Sequence, residues 1–227
     1  MVKLNHPIFE SFLRDLEHHK KDDAPTSAQR YHIDCWKSCK LIYTAIKKLE
    51  IAEKCIRQSC NYSPNEYEDA EYVEFHIENY LIRSCSVYDR VLIFVNYLCD
   101  IQMSKEFVVH NPIITNQKVI DTGLVNRIKK LTKACKSYQT ERNAIVHYGK
   151  YEDDALEWVK TAKRAKKVIN GDIKSIGLSD EIILKNTIEI MTKKAVEFRE
   201  NSEKIKVLVT EFMDDAKNIY DSRSTKT

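Results

Sequence analysis

The chain has 227 residues, 43% hydrophobic and 31% charged, with a formal net charge of +3; this is the balance of an ordinary globular protein, not of a disordered or membrane-spanning one. Four glycines and four prolines are too few for a many-turned β fold and favour long helices. The glycines are Gly123, Gly149, Gly171 and Gly177, so neither a G-x-G-x-x-G fingerprint nor a Walker loop can be written.

In chain order, Ile8, Phe9, Phe12, Leu13 and Leu16 follow helical spacing and predict a helix from about Pro7 to Lys20. Lys20-Lys21-Asp22-Asp23-Ala24-Pro25 breaks it, and Thr26 or Ser27 can cap a second helix to about Arg57. Ser63-Pro64 supplies a cap and a first-turn proline for a third helix, about Pro64 to Ile101. Its first half is acidic, with Glu66, Glu68, Asp69, Glu71, Glu74 and Glu78. Its second half is apolar nearly all round, from Tyr80 and Leu81 to Leu98. A surface helix needs only one apolar stripe. Two faces imply either a central helix or one packed on its own chain and on a second copy; a homodimer through residues 80–101 is the favoured reading.

Ser104 to Val119 contains Asn111-Pro112 and several β-branched residues and reads as a long connection. Helices are predicted at about Val125–Ser137 and Tyr138–Tyr148, the latter ended by Gly149 in a left-handed cap. Another runs from Asp153 to Val168, Asn170-Gly171-Asp172 turns the chain, and Ser179 caps a final helix to about Asp221. Residues 222–227 are expected to be a disordered tail. With no repeat or linker, residues 1–227 read as one all-α domain, a helical bundle with long antiparallel helices and a long C-terminal helix.

The longest apolar run, Val91 to Val95, ends at Asn96, far short of a membrane span, and Met1 to Pro7 has no signal-peptide core. The seven cysteines, Cys35, Cys39, Cys55, Cys60, Cys85, Cys99 and Cys135, form no C-x-x-C and read as reduced, mostly buried thiols of a cytoplasmic protein. Histidines at 6, 18, 19, 32, 76, 110 and 147 lack ligand spacing, and no H-E-x-x-H or D-x-D occurs. No metal and no cofactor is therefore expected.

Charge is distributed unevenly. From Leu124 to Lys150 stand Arg127, Lys129, Lys130, Lys133, Lys136, Arg142 and Lys150 against the single acid Glu141. Such a segment suits an RNA backbone, although solvated helix faces carry similar clusters. Lys163-Arg164-Ala165-Lys166-Lys167 is a second basic cluster. The first runs into Glu141-Arg142-Asn143-Ala144-Ile145-Val146-His147-Tyr148-Gly149. Asn143 and His147, four apart, share a helix face, while Arg142 sits about 140° round from His147 and reaches over by its length. A guanidinium binds phosphate in a bidentate way and an imidazole moves protons near neutral pH, so the trio fits phosphate chemistry. A similar arrangement, Arg14 to His19, is surrounded by Asp15, Glu17, Asp22 and Asp23 and reads as surface.

Arg142-Asn143 through His147, with Tyr148-Gly149 after it, resembles the R-x4-6-H motif of the HEPN superfamily, all-helical proteins many of which cut RNA without a metal. The helix from Glu78-Asn79-Tyr80 to Asn96 resembles the central helix of such proteins. The resemblance covers about residues 30–150 and leaves 152–221 as a C-terminal elaboration. It implies a metal-independent endoribonuclease in a toxin or antiviral defence role, with an antitoxin or other regulatory partner. It implies catalytic roles for Arg142, Asn143 and His147: Arg142 on the phosphate, His147 in proton transfer, Asn143 orienting either. Family members are thought to dimerise, bringing two histidines into one groove. Some carry a tyrosine two positions after the histidine for modification by a partner; Gly149 stands there, which argues against that regulation.

Asp89, Asn96, Glu141, Tyr148 and Tyr151 are candidates to line the cleft, though for Asp89 and Asn96 buried hydrogen bonds within the fold are the favoured reading. Two other readings stay open: a HEPN-like module that binds RNA or nucleotide without cutting it, and a helical scaffold.

Overall fold

A computed structural model describes residues 6–17, 24–58, 69–149, 151–168 and 179–224, the side chain of Lys167 excepted. Helices α1 (Ile8–Leu16), α2 (Ser27–Gln58), α3 (Asp69–Leu98), α4 (His110–Ile114), α5 (Gln117–Ile120), α6 (Val125–Cys135), α7 (Gln139–Tyr148), α8 (Asp154–Val168) and α9 (Asp180–Ser224) account for nearly all of them, and no strand occurs among the described residues. The expected Ser63-Pro64 cap, the Asn170-Gly171-Asp172 turn, His18, His19, Cys60 and Lys150 lie outside those residues.

Local chemistry sets the helix ends. Thr26 and Gln29 form a reciprocal capping box on α2: the Gln29 N–H donates to Thr26 Oγ1 at 3.2 Å, and the Thr26 N–H donates to Gln29 Oε1 at 2.9 Å. Ser179 Oγ accepts the Ile182 N–H at 3.2 Å and starts α9. Gly149 ends α7 at φ +69°, its N–H donating to the Ile145 carbonyl at 2.9 Å, as its position predicts. Two expectations change. The stretch read as a connection contains α4, α5 and a turn of 3-10 helix at Lys105–Phe107. Pro112 does not prevent α4, because it sits in the first turn, where N–H groups have no intrahelical partner. And α9 runs to Ser224, so residues 222–224 are helical and not part of a tail.

The chain divides into two compact units. The first takes Met1–Lys48, Ser84–Ser137 and Glu203–Thr227; the second takes Leu49–Arg83 and Tyr138–Ser202, so α2, α3 and α9 each contribute to both. In the first unit Tyr220 is an aromatic hub, with Phe12 edge-on at 4.6 Å, Tyr31 stacked at 5.9 Å and His32 Nδ1 2.6 Å from its hydroxyl. Phe94 and Phe212 meet edge-on at 6.1 Å. In the second unit Tyr80 stacks on Phe198 at 3.9 Å and donates its hydroxyl to the Phe198 carbonyl at 2.8 Å.

The apolar half of α3 is already covered. Val87, Tyr88, Val91, Phe94, Val95 and Leu98 have no exposed surface within a single chain. Of the two arrangements open to that helix, it adopts the central one. In the same stretch Ile82 is exposed and Ile93 and Tyr97 are half-buried.

The turn after α3 is held by Asn96, 1% exposed. Its Nδ2 donates to the Met103 carbonyl at 3.0 Å and its Oδ1 accepts the Met103 N–H at 3.0 Å. Between them Asp100 and Gln102 adopt positive φ, of 49° and 65°, a conformation that side chains resist and that this clamp sustains.

Candidate functional site

Helix α7, which carries the Arg-Asn-His motif, is tied at both ends within the second unit. At its start the Tyr138 ring lies edge-on to Tyr80 at 6.3 Å and to Phe198 at 5.6 Å. Just past its end the Tyr151 N–H donates to Glu78 Oε1 at 3.1 Å. Glu78 and Tyr80 are two residues apart on α3, so one short stretch holds both ends of the motif helix. Ile145 is its buried apolar contact.

That attachment fixes which side chains face outward. Arg142 and Asn143 are half-buried, while His147 is exposed in the last turn. A cation there complements the negative end of the helix dipole. Arg142 Nη1 donates to Asn143 Oδ1 at 3.1 Å, and Gln139 Nε2 donates to the same oxygen at 2.8 Å. The Asn143 carbonyl oxygen is thus shared by two donors, one of them Arg142. Among the described residues no hydrogen bond holds the His147 ring. Sequence reasoning missed Gln139, although its i, i+4 relation to Asn143 was there to read.

The cleft candidates separate. Tyr148 is 85% exposed and Glu141 is exposed, both on α7. Tyr151 is instead buried; its hydroxyl donates to Asp153 at 3.2 Å, and burial pushes it up to about 12. Asn96 is committed to Met103, the structural role left open for it, and lines no open surface. Asp89 is exposed, and both it and Asn96 belong to the first unit.

Glu78 sits in a charged cluster of its own unit. Burial, reinforced by Glu74, raises its carboxyl above the usual range, opposed by the Tyr151 N–H and Lys160. Lys160, 7% exposed, donates to Glu74 at 2.8 Å and to Glu157 at 3.3 Å. The pair with Glu74 braces α8 on α3, and the pair with Glu157 lies within α8.

The basic residues of α6 are not equivalent. Arg127 is held by Glu211 and by Asp215, the latter at 2.8 Å, so two carboxylates of the first unit balance its charge. Lys129, Lys130 and Lys133 are exposed, and Lys136 lies over the Tyr88 ring at 5.4 Å from its centroid. In the second basic cluster Lys166 pairs with Asp180 at 2.5 Å and Arg164 with Glu157 at 4.0 Å. Arg14, of the other Arg/His stretch, is held by Asp15 at 2.8 Å and Asp221 at 3.5 Å, in keeping with a surface role. Cys35, Cys39, Cys85, Cys99 and Cys135 are buried free thiols, with Cys55 half-buried. No helix is long and apolar enough to cross a membrane, and no group of three or more metal-binding side chains converges, among the described residues.

Compared with known proteins, the chain matches the family model described as Cthe2314-like HEPN over residues 30–208. That span runs through α8 and into α9, beyond the 30–150 covered by the motif resemblance. No curated protein and no solved structure matches the chain.

Proposed function

The chain belongs to the HEPN family, and from that premise we propose that it is a metal-independent endoribonuclease whose reaction is carried by the outer end of α7. The observation that carries the reading is a guanidinium pinned by Asn143 five residues before an exposed histidine in the last turn of the same helix. In the proposed reaction the RNA 2′-hydroxyl loses its proton and attacks the adjacent phosphorus. The 5′-oxygen leaves and takes up a proton, and the upstream strand ends in a 2′,3′-cyclic phosphate. Arg142 neutralises the charge that builds on the phosphoryl oxygens. His147 moves a proton, a contribution of about 10²–10⁴-fold.

One histidine does not readily serve as acid and base in a single step. Two copies meeting through the exposed end of α7, where Val146, His147 and Tyr148 face outward, would supply the second. A toxin or antiviral defence role in the cytoplasm, under a regulatory partner, is the proposed setting; its support is the family resemblance. One observation favours the second reading, a module that binds RNA without cutting it: nothing among the described residues orients the His147 ring.

Incubating the protein with RNA and its all-DNA counterpart in chelator, beside His147→Ala, tests the proposal. RNA-only cleavage that leaves a cyclic phosphate and disappears in the variant is expected. RNA bound but intact in every lane would sink the catalytic reading in favour of the binding module.

A further inference from the structure

The first unit holds a buried hydroxyl, an imidazole and a row of lysines that the proposed chemistry does not use. Tyr88 has no exposed surface, and its hydroxyl is hydrogen-bonded to His110 Nδ1. Burial pushes the phenol up to about 12, so at neutral pH it keeps its proton and is available as the donor to Nδ1. An imidazole that accepts at Nδ1 carries its own N–H at Nε2. Thr132 Oγ1, itself bonded to the Ile128 carbonyl at 2.9 Å, lies 3.5 Å from Nδ1 and closes that side of the ring. His110 is half-buried, and Nε2 is the ring nitrogen that no hydrogen bond occupies among the described residues.

Lysines flank it. Lys136 lies over Tyr88, the residue that holds His110. Lys129 stands two helical turns earlier on the same face, with the exposed Lys133 between them. Burial first, then Lys136 and Lys129, hold the His110 imidazole below its ordinary value of 6.5, so the ring is a neutral donor beside two cations. Along the axis of α6 the three lysines span about 10 Å, a track for a chain of phosphates more than a pocket for one.

We propose that His110, Lys129 and Lys136 form a binding site for a phosphodiester of single-stranded nucleic acid, with Lys133 extending it to a neighbouring phosphate. Tyr88 is the positioning residue, since it sets which ring nitrogen carries the proton. The inference deepens the ribonuclease reading and rests on it for the polymer being RNA. The site reads phosphate and not the 2′-hydroxyl, so a 2′-deoxy strand occupies it as well.

The test measures binding of a short single-stranded 2′-deoxy oligonucleotide to the full chain over a range of salt. Lys129→Ala and Lys136→Ala are each expected to weaken binding and to flatten the slope of log K against log salt by about 0.7. His110→Ala should weaken binding several-fold with the slope unchanged, because a neutral donor is lost. His110→Gln, which restores an N–H donor, should recover most of the affinity. Tyr88→Phe should fall between wild type and His110→Ala and alter the ring ¹⁵N shifts that report the tautomer. The His110 Nε2 resonance should move as the oligonucleotide saturates the protein. Wild-type affinity in His110→Ala, or a resonance that stays still at saturation, overturns the proposal. So does a resonance moved by inorganic phosphate but not by the oligonucleotide, which would mark a small-anion site. The strand cannot be cut by a 2′-hydroxyl mechanism, so the two readings fail separately. Binding through His110 with no RNA cleavage would sink only the ribonuclease reading.

Discussion

The Glu78 carboxylate accepts the backbone N–H of Tyr151 at 3.1 Å, across 73 residues of sequence. It lies two residues from Tyr80, whose ring meets Tyr138 at 6.3 Å, so the motif helix is gripped at its entry and its exit by one stretch of α3. Glu78→Gln keeps an acceptor and should retain RNA cleavage. Glu78→Ala leaves the amide without it, should cost about 1 kcal/mol of stability, and should lower cleavage through loss of position. The Glu78 carboxyl is raised above 4.5, so the folded state binds its proton more tightly than the unfolded one. Its contribution is therefore fully present below 4.5 and is lost as pH rises through the folded value. Thermal melts from pH 4 to 7 should show that loss in wild type and not in Glu78→Gln.

Arg142→Lys keeps the charge but loses the planar fork and its bond to Asn143. Cleavage should fall by about 10²-fold while the melting temperature stays within a degree or two. Single-turnover kinetics at saturating RNA check this; an undiminished rate would take Arg142 out of the transition state.

His32 gives an acid limit of opposite sign. Burial lowers it below 6.5, outweighing Asp15 at 3.9 Å, so the folded state prefers the neutral ring bonded to Tyr220. The unfolded chain takes up the proton first, and the stabilisation falls as pH drops below 6.5 towards the folded value. Denaturant titrations from pH 7.5 to 5 should show declining stability, with a shallower decline in His32→Gln.

Asn96→Ala would strand both backbone groups of Met103 at a turn that already carries two positive-φ residues. Each stranded group costs about 1–3 kcal/mol, and in a chain of this size 1 kcal/mol is about 2–4 °C. A drop in melting temperature of several degrees is expected by calorimetry, with cleavage at low temperature retained.

Arg127→Ala should leave nucleic-acid affinity nearly unchanged, because Glu211 and Asp215 already neutralise that charge. Lys133→Ala should weaken affinity and lower the salt slope by about 0.7. Equal losses in both variants would show that Arg127 leaves its partners to meet the strand.

What could be read from the chain was local. Thr26 with Gln29, Ser179 and Gly149 announce helix ends because the groups they satisfy lie within four residues. The long helices follow from apolar spacing and from the scarcity of glycine and proline. The motif itself was legible, since three side chains on one helix need no tertiary information. The rest was not, because it depends on partners distant in sequence. Arg127 meets Glu211 84 residues away, Asn96 closes on Met103 only once the turn has formed, and Tyr88 finds His110 across 22 residues. The apolar girth of α3 was visible, but only folding shows that a single chain covers it.

The saturated carbonyl of Asn143 also bears on selectivity. Gln139 and Arg142 occupy its oxygen, so the polar atoms that pair offers a strand are N–H groups, from one amide and one guanidinium. A strand that meets the pair is therefore read through its acceptors, the phosphoryl oxygens or the O6 and N7 edge of a purine, while the exocyclic amino groups of its bases find no partner there.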